Sequence, residues 1–181
     1  VKNLGAMGDA GAVTGSKELL EKVRMYRDHG RRTKFEYETV GYNARIDNLQ
    51  ALILREKLKK IDEWTEKKRK ICQYYTEQLK DVVITPKETS WSYHTYYVYV
   101  IETPKGTRDA LQSFLKEKGI ATNIHYKFPT HTTKAFKEYG RSLPRTEYIC
   151  DNILSLPCYF SLPQHQQDYI VKAVKEFYAK Y

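Results

Sequence analysis

The sequence predicts an α/β protein, and three observations carry that reading. Beyond residue 80, β-branched and aromatic runs alternate with segments whose apolar residues recur every three or four positions, the pattern of a small α/β domain. Residues 45–80 form one uninterrupted helical pattern with neither Gly nor Pro, long enough to join two domains. The length of 181 residues and a composition 41% hydrophobic and 13% aromatic suit one or two folded domains with a real core.

Each element has its own signal. Ser16 is a helix-capping residue, and Leu19, Leu20, Val23 and Tyr26 follow at helical spacing, so a helix is predicted through Gly30, a fitting stop. A polar loop over 31–37 comes next. In the long helix, Ile46, Leu49, Ile53, Leu58, Ile61, Trp64, Ile71, Tyr75 and Leu79 mark a drifting apolar stripe to about Lys80. Residues 82–85 and 95–102 read as strands, the second dense in Tyr, Val and Thr. A capped helix is predicted over 107–118, ended by Gly119, with Leu111, Phe114 and Leu115 turned inward. A short strand at 121–125 precedes helices at 132–139, 144–152 and 164–179. The last of these sets Ile170, Ala173, Val174, Phe177 and Tyr181 on one face.

Composition excludes some classes of function. No apolar run reaches the ~18 residues of a membrane-spanning helix, and no charged-then-apolar leader opens the chain. Cys72, Cys150 and Cys158 are odd in number and lack C-x-x-C spacing, which argues against a disulfide framework or zinc site and for reduced cytoplasmic thiols. The net charge of +9 admits a surface for phosphate-bearing ligands or nucleic acid, or simply solvated helix faces. Basic residues are interleaved with acids, as in Glu66-Lys67-Lys68-Arg69-Lys70, so solvated faces are expected, with neither nucleic acid nor membrane as partner.

The opening stretch, Lys2-Asn3-Leu4-Gly5-Ala6-Met7-Gly8-Asp9-Ala10-Gly11-Ala12-Val13, is the most informative. Its glycines at 5, 8 and 11 suit tight turns and close approach to a ligand. It resembles the K-N-L-G-x-x-G-D-x-G-A-V run of the DegT/StrS family of pyridoxal-phosphate (PLP) nucleotide-sugar aminotransferases. His29-Gly30-Arg31, the block from Gly41 to Ala51 (GYNARIDNLQA) and Leu154-Ser155-Leu156-Pro157-Cys158-Tyr159 resemble three further family blocks, in the same order. Four blocks together cover essentially the whole chain and are far more specific than any one.

The resemblance implies an aspartate-aminotransferase (fold type I) architecture. Residues 1–44 would be the end of the large PLP-binding domain, 45–80 a long interdomain helix and 81–181 a small C-terminal α/β domain. Family members are roughly twice this length and the chain opens on Val, so it is expected to be the C-terminal half of a longer enzyme. An Asp at the cofactor's ring nitrogen and a stacking aromatic would lie in the other half. The implied activity moves an amino group, with glutamate as expected donor, to a keto group on a nucleotide-linked sugar by ping-pong steps, in a homodimer with shared sites.

The same resemblance assigns residues. Lys2 matches the lysine that holds PLP as a Schiff base and then serves as proton carrier. A dehydrating branch of the family has His there, so Lys2 favours transamination. Asn43 matches the residue that reaches the cofactor phosphate of the partner subunit. On its residues alone, Asn43 also reads as the cap of the long helix, and Arg45 and Asp47 read as an ion pair or first-turn charges. The loop carrying His125, Tyr126 and His131 is similar to a family loop at the mouth of the active site. Tyr126 and His131 there are either substrate contacts or packed surface residues. Two His without further ligands at suitable spacing do not make a metal site. His94, His165 and Trp91 read as packing or surface residues. The alternative to an enzyme is a non-catalytic binding or regulatory protein with a basic surface, although no helix-turn-helix, zinc-finger or RNA-binding signature is present.

Overall fold

Helix α3 (Ile61–Leu79) buries Thr65, Lys68, Ile71, Cys72, Tyr75 and Leu79. These residues recur at helical spacing and form one face, and around that face the larger of two compact units is built. The computed structural model describes residues 2–180, and the chain divides into the units Val1–Ile61 and Asp62–Tyr181. Tyr181, expected on the final helix, lies outside the described residues.

In the second unit, β1 (Tyr99–Glu102) pairs antiparallel with β2 (Ile153–Leu156), Tyr99 facing Leu156 and Glu102 facing Ile153. Every residue of β2 is buried, whereas β1 buries alternate residues, Tyr99 and Ile101. α4 (Arg108–Glu117) packs on β2 and on α6 (Gln164–Ala179), and α5 (Pro144–Asn152) runs directly into β2. The core joins Cys72, Tyr75 and Leu79 of α3 to Leu111 and Leu115 of α4, Leu154 of β2 and Val174 of α6, all fully buried.

The expected strands at 82–85 and 121–125 shrink to single bridges, Ile84 to Glu102 and Asn123 to Ser155, on either side of the two-stranded sheet. The expected strand at 95–102 keeps only its last four residues. Its first part is instead packed by aromatic contact, with His94 stacked on Tyr96 at 4.0 Å. Strand β2 has no counterpart in the sequence-based elements. Its Ile-Leu-Ser-Leu run is too short and too uniformly apolar to show an alternation.

Capping explains the start of α1 and the end of α4. Ser16 accepts a hydrogen bond from the Leu19 N–H, and α1 (Lys17–Tyr26) stops four residues short of Gly30. Gly119 takes a left-handed φ of +72°, and the Ile120 N–H returns to the Leu115 carbonyl, closing α4. Thr107 occupies the N-cap position of α4 but does not cap it. Its hydroxyl donates to the Pro104 carbonyl at 2.8 Å. Residues 132–139 are two short 3₁₀ segments, Thr130–Thr132 and Lys134–Tyr139, in place of an α-helix. Helices over Pro144–Asn152 and Gln164–Ala179 fall where expected, with Ile170, Ala173, Val174 and Phe177 buried.

The single long helix expected over 45–80 is two, α2 (Asn48–Leu58) and α3, separated by a turn at Lys59 and Lys60. Charge supplies the physical reason. Arg55 and Lys57 fill the last turn of α2, and Asp62 and Glu63 the first turn of α3, each favourable at its own helix end.

Candidate functional site

The opening segment of the first unit is laid onto α2. The Met7 N–H donates to Gln50 Oε1 at 2.7 Å, and Lys57 Nζ donates to the Gly5 carbonyl. Gly5 and Gly8 take φ values of +70° and +124°, conformations that an L side chain strains to adopt. Gly11 has neither a positive φ nor a close neighbour, so the requirement expected there is not seen. Lys2 precedes this fastened stretch and its side chain is exposed. Gln50 and Lys57 were not singled out from the sequence. Gln50 does lie within the GYNARIDNLQA block, and that was the available signal.

Asn43 sits in a folded-back loop. His29 and Gly30 both take left-handed φ, +63° and +74°, and turn the chain after α1. A Cβ on Gly30 would collide with the Thr39 carbonyl, and one on Gly41 with the Gly30 nitrogen, so the two strands of this loop touch where only glycine fits. The Tyr42 N–H donates to the Tyr26 carbonyl at 2.7 Å and the Ala44 N–H to the Arg27 carbonyl at 2.9 Å, leaving Asn43 opposite Asp28 with its side chain exposed.

The helix-cap reading of Asn43 is overturned. α2 begins at Asn48 with Asp47 in the N-cap position, so Asn43 lies outside the helix end, and the Asp47 side chain makes no capping bond either. Arg45 is structural as expected, pairing with Asp28 at 3.0 Å. Arg31 binds the other oxygen of Asp28 at 2.9 Å. The hydrogen bond from Arg31, aided by the charges of Arg31 and Arg45, holds the Asp28 carboxyl below the usual carboxylate range. Asp28 shares with Arg24, Arg27, Arg31, Arg45 and Lys22 the wall of an open groove of about 670 Å³, in which cations outnumber acids.

Tyr126 and His131 belong to the second unit, and the structure distinguishes them. Tyr126 is 70% exposed on the loop after Asn123. His131 is half-buried, and its Nε2 lies 3.1 Å from Glu147 Oε1, which also accepts the Leu143 N–H at 2.9 Å. These two contacts hold the Glu147 carboxyl below its ordinary range, the Leu143 N–H more strongly than His131. His131 thus ties the 3₁₀ segment to α5, beside a cavity of about 300 Å³ that Phe136, Tyr139 and Leu143 help to line. His125 is held by Ser155 Oγ at 2.8 Å. Among the described residues no group of three or more His, Cys, Asp or Glu is placed to hold a metal ion, and no helix is long and apolar enough to cross a membrane.

Many basic residues lie in helix-surface pairs such as Lys22–Glu18, Lys67–Glu63 and Lys180–Glu176, as expected of solvated faces, whereas Arg24, Arg27, Arg31, Arg32 and Arg45 gather in the groove beside Asp28. Cys72 and Cys158, 86 residues apart, meet with their sulfurs 3.1 Å from each other, a proximity that spacing alone did not reveal.

Comparison with known proteins is consistent in both sequence and structure. A family model described as the DegT/DnrJ/EryC1/StrS aminotransferase family matches residues 1–175. The chain is 44% identical to the "Pleiotropic regulatory protein" of Geobacillus stearothermophilus, over 98% of this chain and 49% of that one. It is 38% identical to a dTDP-3-amino-3,4,6-trideoxy-alpha-D-glucose transaminase of Micromonospora megalomicea, over 97% of this chain and 49% of that protein. The crystal structure of Streptomyces venezuelae DesV in complex with a ketimine intermediate superposes with a TM-score of 0.92 at 35% identity, covering 97% of this chain and 48% of that one. The chain therefore spans about half the length of the relatives it matches, and its α/β fold is that of sugar aminotransferases.

Proposed function

Because the chain belongs to the DegT/DnrJ/EryC1/StrS aminotransferase family, we propose that the protein containing it transfers an amino group to a keto group on a nucleotide-linked sugar, with PLP as cofactor and glutamate as donor. The observation that carries the reading is the Lys2 segment, fastened to α2 by Gln50 and Lys57 next to an exposed primary amine. In this reading Val1–Ile61 closes the large cofactor domain and Asp62–Tyr181 forms the small one.

The residues present fit such a cofactor by their chemistry. Lys2 offers an amine for a carbonyl group, Asn43 an exposed amide for phosphate oxygens, and the groove beside Asp28 a surplus of cations. When bound, PLP supplies an electron sink at the carbon that gains or loses nitrogen. Lys2 would hold it through Nζ, and the same nitrogen, once released, would take up and return the proton at the reacting carbon. Asn43 would hold the phosphate from a second subunit, since the family resemblance makes the site shared. Tyr126, exposed, suits a substrate contact. His131, engaged by Glu147, would act there by holding the loop.

Borohydride treatment of the full-length protein with PLP, followed by peptide mapping, tests the assignment. The label belongs on Lys2, and Lys2→Arg abolishes transamination of nucleotide-keto-sugars. Label on another lysine would overturn the role of Lys2. A second reading, a regulator without catalysis, draws on the name of the Geobacillus relative. It predicts no visible absorbance change on adding PLP, and no turnover with any keto-sugar nucleotide.

A further inference from the structure

A buried cysteine ordinarily packs as a small apolar side chain. Cys72 and Cys158 do more than that. Cys72 lies on the buried face of α3, and Cys158 follows β2 by two residues, with the two sulfurs in hydrogen-bond contact at 3.1 Å. Both are held from rigid elements. The Tyr75 hydroxyl donates to the Pro157 carbonyl at 3.1 Å, fixing the backbone just before Cys158. The Thr76 hydroxyl donates to the Cys72 carbonyl at 2.9 Å. Covalent bonding would need the sulfurs to approach by only about 1 Å.

The two thiols are not equivalent. Cys72 is fully buried and Cys158 is half-buried, so an oxidant reaches Cys158 first. Lys68 sits one turn before Cys72 on the same helix face, largely buried, with its ammonium donating to the Tyr97 carbonyl at 3.2 Å. The hydrogen bond from Cys72 and the charge of Lys68 pull the Cys158 thiol below its ordinary range. The same contact, with burial, pushes the Cys72 thiol up. A half-buried thiol whose ionised form a lysine favours, with a second thiol in contact, is the arrangement in which a sulfenic acid is resolved as soon as it forms.

We propose that Cys72 and Cys158 are a reversible oxidation site, in which a hydroperoxide converts the thiol pair to a disulfide that links α3 to the segment after β2. The Cys158 thiolate attacks the peroxide oxygen, forming the S–O bond as the O–O bond breaks, and the leaving oxygen departs as water after protonation. Cys72 sulfur then attacks the Cys158 sulfenic sulfur, the S–S bond forms, and the hydroxyl leaves as a second water with the Cys72 proton. The two thiols lose two electrons and two protons in all, and hydrogen peroxide is reduced to two waters. A dithiol reductant restores the pair by thiol–disulfide exchange. Cys150 is not part of the site, and serves as an internal control.

The test exposes the full-length protein to limiting hydrogen peroxide. Remaining thiols are then alkylated in denaturant, and the peptides are mapped by mass spectrometry. The expected result is a Cys72–Cys158 linked peptide, two hydrogen masses lighter than the reduced pair, with Cys150 alkylated and the link removed by dithiothreitol. Cys72→Ser should stop the reaction at a Cys158 sulfenic acid that dimedone captures. Lys68→Gln should slow oxidation of Cys158, because the charge that favours its thiolate is gone. The unsubstituted protein gives a reading that does not depend on the variants folding: Cys158 should be alkylated faster than Cys150 under native conditions. Recovery of both Cys72 and Cys158 as alkylated thiols after Cys150 has been oxidised would overturn the proposal. So would a linked peptide that includes Cys150.

Discussion

Gln50 shows how a single side chain can hold a backbone segment in place. Its Oε1 receives the Met7 N–H, and its amide nitrogen lies 3.4 Å from where a Cβ on Gly8 would stand. Gln50→Ala should cost the fold about 1 kcal/mol, the net value of one hydrogen bond, measured by denaturant unfolding. It should lower PLP affinity of the full-length protein more than its small stability loss would suggest, because Lys2 leads into the segment it fastens. Gln50→Glu keeps an acceptor and should recover most of that affinity; no recovery would show that the amide's contact is incidental. At this scale the sequence was partly legible. Lys2 stands out by its neighbours, and of the two readings of Arg45, ion pair or first-turn charge, the pair with Asp28 is the one formed. The cap alternative for Asn43 fails because a pattern of apolar residues starting at Ile46 does not say where backbone hydrogen bonding begins. The meeting of Cys72 with Cys158 depends on how α3 packs against β2, which no local pattern encodes.

Elements were legible where a local rule decides them and obscure where packing does. Ser16, Gly119 and the apolar face of α6 obey capping and periodicity, and each is where those rules place it. The break between α2 and α3 escaped because neither Gly nor Pro marks it; only the reversal of charge from Arg55 and Lys57 to Asp62 and Glu63 does. Glycine substitutions test that break. Lys67→Gly, inside α3 on an exposed position, should cost about 1 kcal/mol, whereas Lys59→Gly at the end of α2 should cost only a few tenths. Equal costs in thermal or urea unfolding would argue for a continuous helix through Lys59. The loop before β1 offers a second test. Arg69 holds Glu88 through both terminal guanidinium nitrogens, at 2.8 and 2.9 Å, and also donates to the His94 carbonyl at 2.8 Å. That hydrogen bonding from Arg69, with the His94 N–H, keeps the Glu88 carboxyl below its ordinary range. A carboxyl lowered in the folded state stabilises at pH values above its unfolded pKa, and the stabilisation disappears as pH falls through the folded value. Protection of the amides across residues 86–96, taken relative to their intrinsic exchange rates at each pH, should therefore fall on acidification below about pH 4.5. Glu88→Gln should lower that protection already at neutral pH and remove its acid dependence.

For the molecule as a whole, the α/β class and the family were legible because four sequence blocks appear in order along the chain, and the match over residues 1–175 agrees. The chain's share of its relatives, about half, is what makes subunit arrangement a question for experiment. Asn43 carries that question. It is exposed, lies outside the α2 cap, and its backbone is held on both sides by bonds from Tyr42 and Ala44 to the end of α1. Asn43→Ala should then leave folding nearly unchanged, since no cap is lost, while weakening PLP binding by roughly 1.5–3 kcal/mol, the range for a hydrogen bond to a charged group. Whether Asn43 serves its own subunit or its partner's follows from mixing two defective full-length proteins, Lys2→Ala and Asn43→Ala, at limiting PLP. If each site takes Lys2 from one subunit and Asn43 from the other, the mixed dimer gathers both lesions in one site and leaves its second site intact. Activity should rise on mixing, towards half that of the unsubstituted dimer for each heterodimer formed. If Asn43 serves its own subunit, every site keeps one lesion, and mixing restores nothing even when heterodimers are verified by differential tagging.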